Sequence, residues 1–403
     1  MEPDTERTRD KLVSTSNRLY KVRDDLHAGR ASLPWGAYFR EIVARDAVLR
    51  IAAVLAVLSC VVVRPPLAVY AEYIDFKTLA CLASLMTATG GFMLSGLFDR
   101  AAAGLAARCG SSRTLVGAMV FGTFFSSMVI TNDVALIVFV PMALIALRRA
   151  DIDPIPTVVL QTIAANVGSI LLPVGNPQNL YLYSRYQMAF VPFLRTVAPL
   201  CLAGGALLLA CCLCLPKKSV LCPPRAEVKV RGVDVLPYAA LFLVAVLAVF
   251  GAVDYRVAAG AALAMLLIKG RDLAQQVDFA LLATFIGFFV FVGNVSHIPE
   301  IERALTLFVR PRPYFAAVLA SQFISNVPAA VLLSGFTAES RALLAGVSAG
   351  GCGTLIASMA SLISYKLFVR SDARRRRYLT VFTLANAAFL AVMTLAYLCF
   401  VAA

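Results

Sequence analysis

Ile130-Thr131-Asn132-Asp133-Val134-Ala135 and Ile324-Ser325-Asn326-Val327-Pro328-Ala329 are two copies of one device. The first is followed by Pro173-Val174-Gly175-Asn176-Pro177-Gln178-Asn179, and the second by Gly351-Cys352-Gly353-Thr354-Leu355-Ile356-Ala357-Ser358. Each copy places an uncharged hydroxyl–amide pair, then a Gly-containing break, inside segments otherwise apolar enough for lipid. Polar groups and interrupted helices are expensive in a bilayer and persist where they line a cavity or bind something. Their duplication points to a solute site near the bilayer midplane, built by two related halves of the chain.

Composition agrees with a lipid environment. The 403 residues are 60% hydrophobic and 15% charged, with a mean hydropathy of +0.80, whereas about a quarter of a soluble domain is charged. Apolar runs near the roughly 20 residues needed to span a bilayer recur from residue 47 onward. The first 46 residues are polar, carry both signs of charge and show no cleavable signal pattern. The net charge of +14 does not indicate nucleic acid, because the basic residues collect in connections between apolar runs, as the positive-inside rule requires. The ten cysteines form no metal or disulfide framework. Cys211, Cys212 and Cys214 sit in an apolar helix, and with only His27 and His297 a zinc site is not expected.

The pattern predicts an all-α polytopic membrane protein of two inverted-topology repeats. Each repeat has a re-entrant helical hairpin and a broken transmembrane helix, with about nine to eleven membrane segments besides the hairpins. Residues 1–46 form a cytoplasmic arm. The first half, 47–215, contains hairpin 113–149 and broken helix 155–186. A basic cytoplasmic linker, 216–234, leads to the second half, 235–403, with hairpin 311–340 and broken helix 341–365. For residues 113–149 a single helix is too long for the bilayer, and two full spans are slightly short and carry Asp133 to the opposite surface. A hairpin tipped by Thr131-Asn132-Asp133 satisfies both constraints.

Orientation follows from charge. With the N-terminus in the cytoplasm, Arg148-Arg149, the linker lysines and arginines, and Arg374-Arg375-Arg376-Arg377 all fall on the cytoplasmic face. Arg310 and Arg312 are exceptions. An odd number of segments separates the halves, so they run in opposite senses. A multi-pass protein of a bacterial inner membrane is expected.

At these motifs the chain resembles the ion transporter superfamily, which includes divalent-anion:sodium symporters, citrate transporters, arsenite efflux pumps and some sodium–proton antiporters. The resemblance covers nearly everything after residue 45. It implies a dimerising scaffold, a transport domain made of both hairpins and both broken helices, and elevator-like movement. In the symporters both tips read Ser-Asn-Thr; here they read Thr131-Asn132-Asp133 and Ser325-Asn326-Val327, so the third position differs. The Gly-Thr-Pro-Pro-Asn break of that family is resembled by Gly175-Asn176-Pro177-Gln178-Asn179, which departs from it at Asn176 and Gln178.

Hydroxyl, amide and freed carbonyl oxygens suit a small dehydrated cation. Thr131, Asn132 and carbonyls near Gly175 make one candidate sodium site; Ser325, Asn326 and carbonyls near Ala357 make the other. The Asn132 or Asn326 amide NH2, with the half-helix N-termini, suits an anion instead. A third reading has these residues simply capping half-helices. Asn132, Asp133, Asn176, Gln178, Asn179, Asn326, Thr354 and Ser358 are the candidate solute-binding residues. Asp133 at mid-membrane costs about 2.5–3.5 kcal/mol on insertion scales. It is read as a proton carrier, as part of a cation site, or as a helix cap.

The leading expectation is a secondary active permease moving a small anionic solute with a sodium or proton gradient. The alternative is a cation/proton or arsenite-type exchanger with Asp133 carrying the proton; a channel is a third class. No Ser–His pair, paired Asp or nucleotide loop indicates an enzyme, and no cofactor is implied beyond sodium ions or protons. Expected partners are the solute, membrane lipids and a second copy in a homodimer, without nucleic acid.

Overall fold

The computed structural model describes residues 40–402 apart from 42, 45, 107 and 219–231. Most of the expected cytoplasmic arm and of the basic linker therefore lie outside the described residues. Within them the chain forms 19 α-helices and no strand.

Helix α1 (Ala47–Val63) starts where the Asp46 carboxylate accepts from the Leu49 amide, and Pro65-Pro66 separates it from the short α2 (Leu67–Tyr73). Helix α3 (Phe76–Leu94) is capped by Asp75 and followed by α4 (Leu97–Ala106). A capping box of Ser111 and Thr114 opens α5 (Ser112–Ile130), which meets α6 (Asn132–Arg149) across Thr131 alone. Helix α7 (Pro154–Ser169), a 3-10 turn (Pro173–Gly175) and α8 (Pro177–Arg185) make the first broken helix; α9 (Phe190–Cys214) returns. Beyond the linker come α10 (Gly232–Val249), α11 (Tyr255–Lys269) and the single-turn α12 (Arg271–Ala274).

The order of the first half is then repeated. Helix α13 (Phe279–Val295) is capped by Asp278 as α3 is by Asp75, and α14 (Pro299–Val309) follows. Helices α15 (Pro313–Ile324) and α16 (Asn326–Ser334) meet across Ser325. The second broken helix is α17 (Ser340–Gly350) with α18 (Met359–Ser371), running past the expected end at 365, and α19 (Arg375–Phe400) closes the chain. Nothing in 366–371 stops a helix before Asp372, whose backbone is extended.

Packing repeats with the order. Helix α1 packs on α13 as α11 packs on α3; α5 packs on α7 as α15 packs on α17; α6 packs on α18 as α16 packs on α8. Partners exchanged between halves in this way are what a pseudo-twofold relation produces, and α10 is the odd segment that sets the halves against one another.

Among the described residues four helices are long and apolar enough to cross a bilayer unaided: α3, α5, α9 and α19. Helices α13 and α14, bent by 109°, form a fifth candidate. Other apolar stretches are shorter because breaks divide them. At 1.5 Å per residue, arms α15 and α16 reach only roughly 18 and 14 Å, short of the ~30 Å core. Arms α5 and α6, roughly 28 and 27 Å long, come close to spanning that core, yet their tip lies beside Asn166, roughly 18 Å along α7 from its start. A tip held at that depth makes this pair a hairpin rather than two spans.

Close approach of α5 and α7 depends on Gly168, where a Cβ would lie 2.2 Å from the Phe124 carbonyl oxygen and 2.5 Å from Ser127 Oγ. Backbone cannot move aside as a side chain can. Gly168→Ala should lower thermal stability by about 1–3 kcal/mol, the usual penalty for overpacking, measured by unfolding in detergent; an unchanged melting temperature would show that α5 slides freely on α7.

Candidate functional site

Both hairpin tips share one unusual backbone. Thr131 has φ 72° and ψ 149°, and Ser325 has φ 73° and ψ 153°. This region is essentially reserved for glycine, and other residues held there are strained by about 1–3 kcal/mol. Neither hydroxyl caps the helix that follows, so simple capping does not account for Thr131 or Ser325.

The residues just beyond the tips are buried. Asn132 Oδ1 accepts from the Asp133 amide (3.0 Å) and its Nδ2 donates to Asn166 Oδ1 (3.4 Å). The Asn326 amide donates to the Ala357 carbonyl at 2.9 Å, and Ser325 Oγ donates to the same oxygen at 3.4 Å. Thus Ser325, Asn326 and Ala357, one candidate cation set, are brought together, with Ala357 O already accepting from the tip. The Asn326 side chain lies over Gly351, whose added Cβ would stand 2.9 Å from Nδ2. Asp133 leaves its buried Oδ1 without a hydrogen-bond partner.

The first break is held by its own amides. Asn176 caps α8, accepting from the Asn179 amide (2.9 Å), and donates to Ser169 Oγ (3.1 Å). Asn179 Nδ2 donates to the Ile170 carbonyl (2.9 Å) freed by the interruption. Gly175 is pressed against Ser169, whose carbonyl oxygen would be 2.2 Å from an added Cβ. Gln178 is buried beside them. In the second break, Thr354 is turned away from this centre. It is exposed and bonded to hairpin residue Gln322, its Oγ1 donating to the Gln322 carbonyl and its amide to Gln322 Oε1. Ser358 stays in the centre, fully buried.

Two residues absent from the sequence reading tie the halves together. Asn166, 3% exposed on α7, accepts from Asn132 Nδ2 and from Ser358 Oγ (2.9 Å), and donates to the Gly351 carbonyl (3.1 Å). Reciprocally, Ser348 on α17 donates to Asn179 Oδ1 (3.4 Å). The first arm of each broken helix therefore bonds the break of the other repeat. The signal available was Gln161 and Asn166, the two amide side chains of a helix otherwise made of apolar and small hydroxyl residues, and their spacing marks no motif.

Two matched hairpin-and-break units, their polar residues converging inside an apolar helical bundle, define a multi-pass membrane transporter rather than an enzyme. The chain belongs to the citrate transporter family, whose profile matches residues 37–349. It is 32% identical to the inner membrane protein YbiR of Escherichia coli over 73% of this chain and 80% of that protein. It is 33% identical to a protein of Methanocaldococcus jannaschii described as an uncharacterized transporter, over 67% of this chain and 75% of the relative. The silicon efflux transporter of Oryza sativa is 29% identical over 35% of this chain and 29% of its own length.

Proposed function

We propose that the chain is a secondary active permease that moves a small anionic solute through an elevator-like displacement of its hairpins and broken helices, coupled to a sodium or proton gradient. The observation that carries this reading is the cross-repeat junction at Asn166, where one hairpin tip and the opposite repeat's break share a single buried amide. Such a junction belongs to a body that moves as a unit, with ion and solute oxygens gathered at the tips. Thr131, Asn132 and the Gly175 region would hold one coupling cation; Ser325, Asn326 and the Ala357 region would hold the other. Gln178 and Ser358 would face the solute, whereas Asn176 and Asn179 hold the break with their own hydrogen bonds and Thr354 serves hairpin packing. On this reading the N-terminus lies in the cytoplasm of a bacterial cell and the protein sits in the inner membrane, as a homodimer among lipids.

In proteoliposomes given citrate as the probe anion, uptake should follow an imposed sodium or proton gradient and fall at least about tenfold in Asn132→Ala or Asn326→Ala, the loss of a buried charge-assisted contact. Uptake indifferent to both gradients and to both amides would sink the reading.

A second reading, an exchanger in which Asp133 carries the proton, is favoured by its unpartnered buried oxygen. The efflux role named for the Oryza relative is compatible with it. Asp133→Asn would then abolish pH-dependent exchange while leaving sodium-dependent effects in place.

A further inference from the structure

Arg310 and Arg312 are the basic residues that the positive-inside pattern does not place. They sit on the turn between α14 and α15, on either side of Pro311, and the Arg312 amide closes that turn by donating to the Val309 carbonyl (3.3 Å). Val309 is fully buried and pins the corner, whereas both arginines are exposed. Neither forms an ion pair among the described residues. The carboxylates of α14, Glu300 and Glu302, stand with Arg303 at its other end, roughly 12 Å or more along the helix from Arg310. The corner therefore carries two cations with no counter-charge in contact.

Apolar surface descends from this corner. Helix α14 bends 109° from α13 and so lies across the direction of that span, with Leu307 and Phe308 exposed beside the arginines. Along α15, Pro313, Tyr314, Ala316, Ala317 and Ser321 are buried, and the Tyr314 ring stacks on Tyr397. The opposite face is Phe315, Leu319 and Phe323, all exposed and each four residues from the next. Arg312 precedes Phe315 by three residues, so the cation and the stripe share one side of the helix. From Phe315 to Phe323 the stripe runs roughly 12 Å, close to half of the ~30 Å hydrocarbon core.

Exposed apolar residues are ordinary on a lipid-facing helix, and an arginine at its end often does no more than snorkel. The first hairpin shows an arginine with a purely structural task in the corresponding place. Arg113, at the start of α5, donates from Nε (3.0 Å) and Nη2 (2.8 Å) to the Leu215 carbonyl. Arg310 and Arg312 have no such acceptor among the described residues, and they come as a pair at the head of a stripe one leaflet deep.

We propose that this corner binds one anionic phospholipid, its phosphate held by Arg310 and Arg312 and an acyl chain laid along Phe315, Leu319 and Phe323. Guanidinium suits a phosphate because its paired N–H donors match the phosphate oxygens. A free phosphate leaves the stripe uncovered, and a zwitterionic lipid brings a positive group against the same two arginines. Bound there, the lipid joins α14, the continuation of α13, to the hairpin that carries Ser325 and Asn326. No solute or coupling ion enters the proposal, so it stands apart from the carrier reading.

Native mass spectrometry of the full chain in detergent tests it, with titration by dioleoylphosphatidylglycerol, dioleoylphosphatidylcholine or glycerophosphate. The first phosphatidylglycerol should bind about tenfold or more tightly than phosphatidylcholine. Arg310→Gln with Arg312→Gln should remove that preference and leave the phosphatidylcholine affinity as it was. Arg375→Gln with Arg376→Gln, an equal loss of charge where α19 begins, should keep the preference, and glycerophosphate should compete only weakly. Equal affinity for the two lipids, a preference that survives loss of Arg310 and Arg312, an equal loss in the Arg375 and Arg376 variant, or full competition by glycerophosphate overturns the proposal.

Discussion

Asn166→Ala is expected to abolish gradient-driven uptake. Three bonds end on this side chain, from Asn132, from Ser358 and to the Gly351 carbonyl. Truncation leaves the Ser358 hydroxyl and the Gly351 oxygen buried without those partners. Each such orphan costs about 1–3 kcal/mol in a protein interior. Inside a bilayer the average is smaller, about 0.6 kcal/mol per interhelical bond, because the unfolded chain also finds partners there. A stability loss of about 2 kcal/mol therefore stands between these limits. The functional loss should exceed it, because the first hairpin tip and the second break are no longer held in register, and a displacement of 1 Å is enough to disable a site. Asn166→Asp keeps the acceptor used by Asn132 and Ser358 and bonds the Gly351 carbonyl only when its buried carboxyl is protonated, so its advantage in thermal stability over the alanine variant should be largest at low pH and shrink as pH rises. Thermal unfolding alongside uptake separates the two effects. Wild-type uptake by Asn166→Ala would mean that the junction is packing and nothing more.

The second large effect has the opposite sign for stability. Thr131→Gly and Ser325→Gly should each raise thermal stability while lowering transport. The strain of a side chain at φ near +72° is about 1–3 kcal/mol. Glycine returns about 0.5–1 kcal/mol of that through its larger loss of backbone freedom, and Ser325→Gly also forfeits the long bond to Ala357. A net gain of about 1 kcal/mol per tip remains. The double variant should not be strictly additive, because both tips reach the same junction at Asn166 and Ala357-Ser358 and neighbouring changes couple. Stabilisation accompanied by undiminished uptake would show that the hydroxyls are incidental. Stabilisation with lost uptake would show that the strained conformation is kept for the group it carries.

Much of the architecture was legible because lipid restricts the choices. Apolar runs, basic connections and two copies of a polar interruption are one-dimensional properties, and each has a single physical explanation in a bilayer. The tip pairs Thr131-Asn132 and Ser325-Asn326 were found this way, since their chemistry contradicts their surroundings, whereas Asn176, a candidate solute ligand by sequence, caps α8 in the structure. Asn166 and Ser348 were not. Each is an isolated polar residue in a half-helix, and its importance comes from a partner in the other repeat. Thr354 shows the converse: sequence symmetry put it beside Ser358, yet Gly353 at φ +155° turns the chain so that Thr354 bonds Gln322.

The duplicated motif, its interruption and the odd segment between its copies were determined by sequence alone, because composition and order suffice to say what a bilayer will accept. Tertiary structure decided which oxygens meet: that Asn132 and Ser358 share Asn166, and that Ser348 of the second repeat reaches Asn179 of the first. Those contacts join residues far apart in the chain, and hydrogen bonding depends on distances and angles that only the packed helices set.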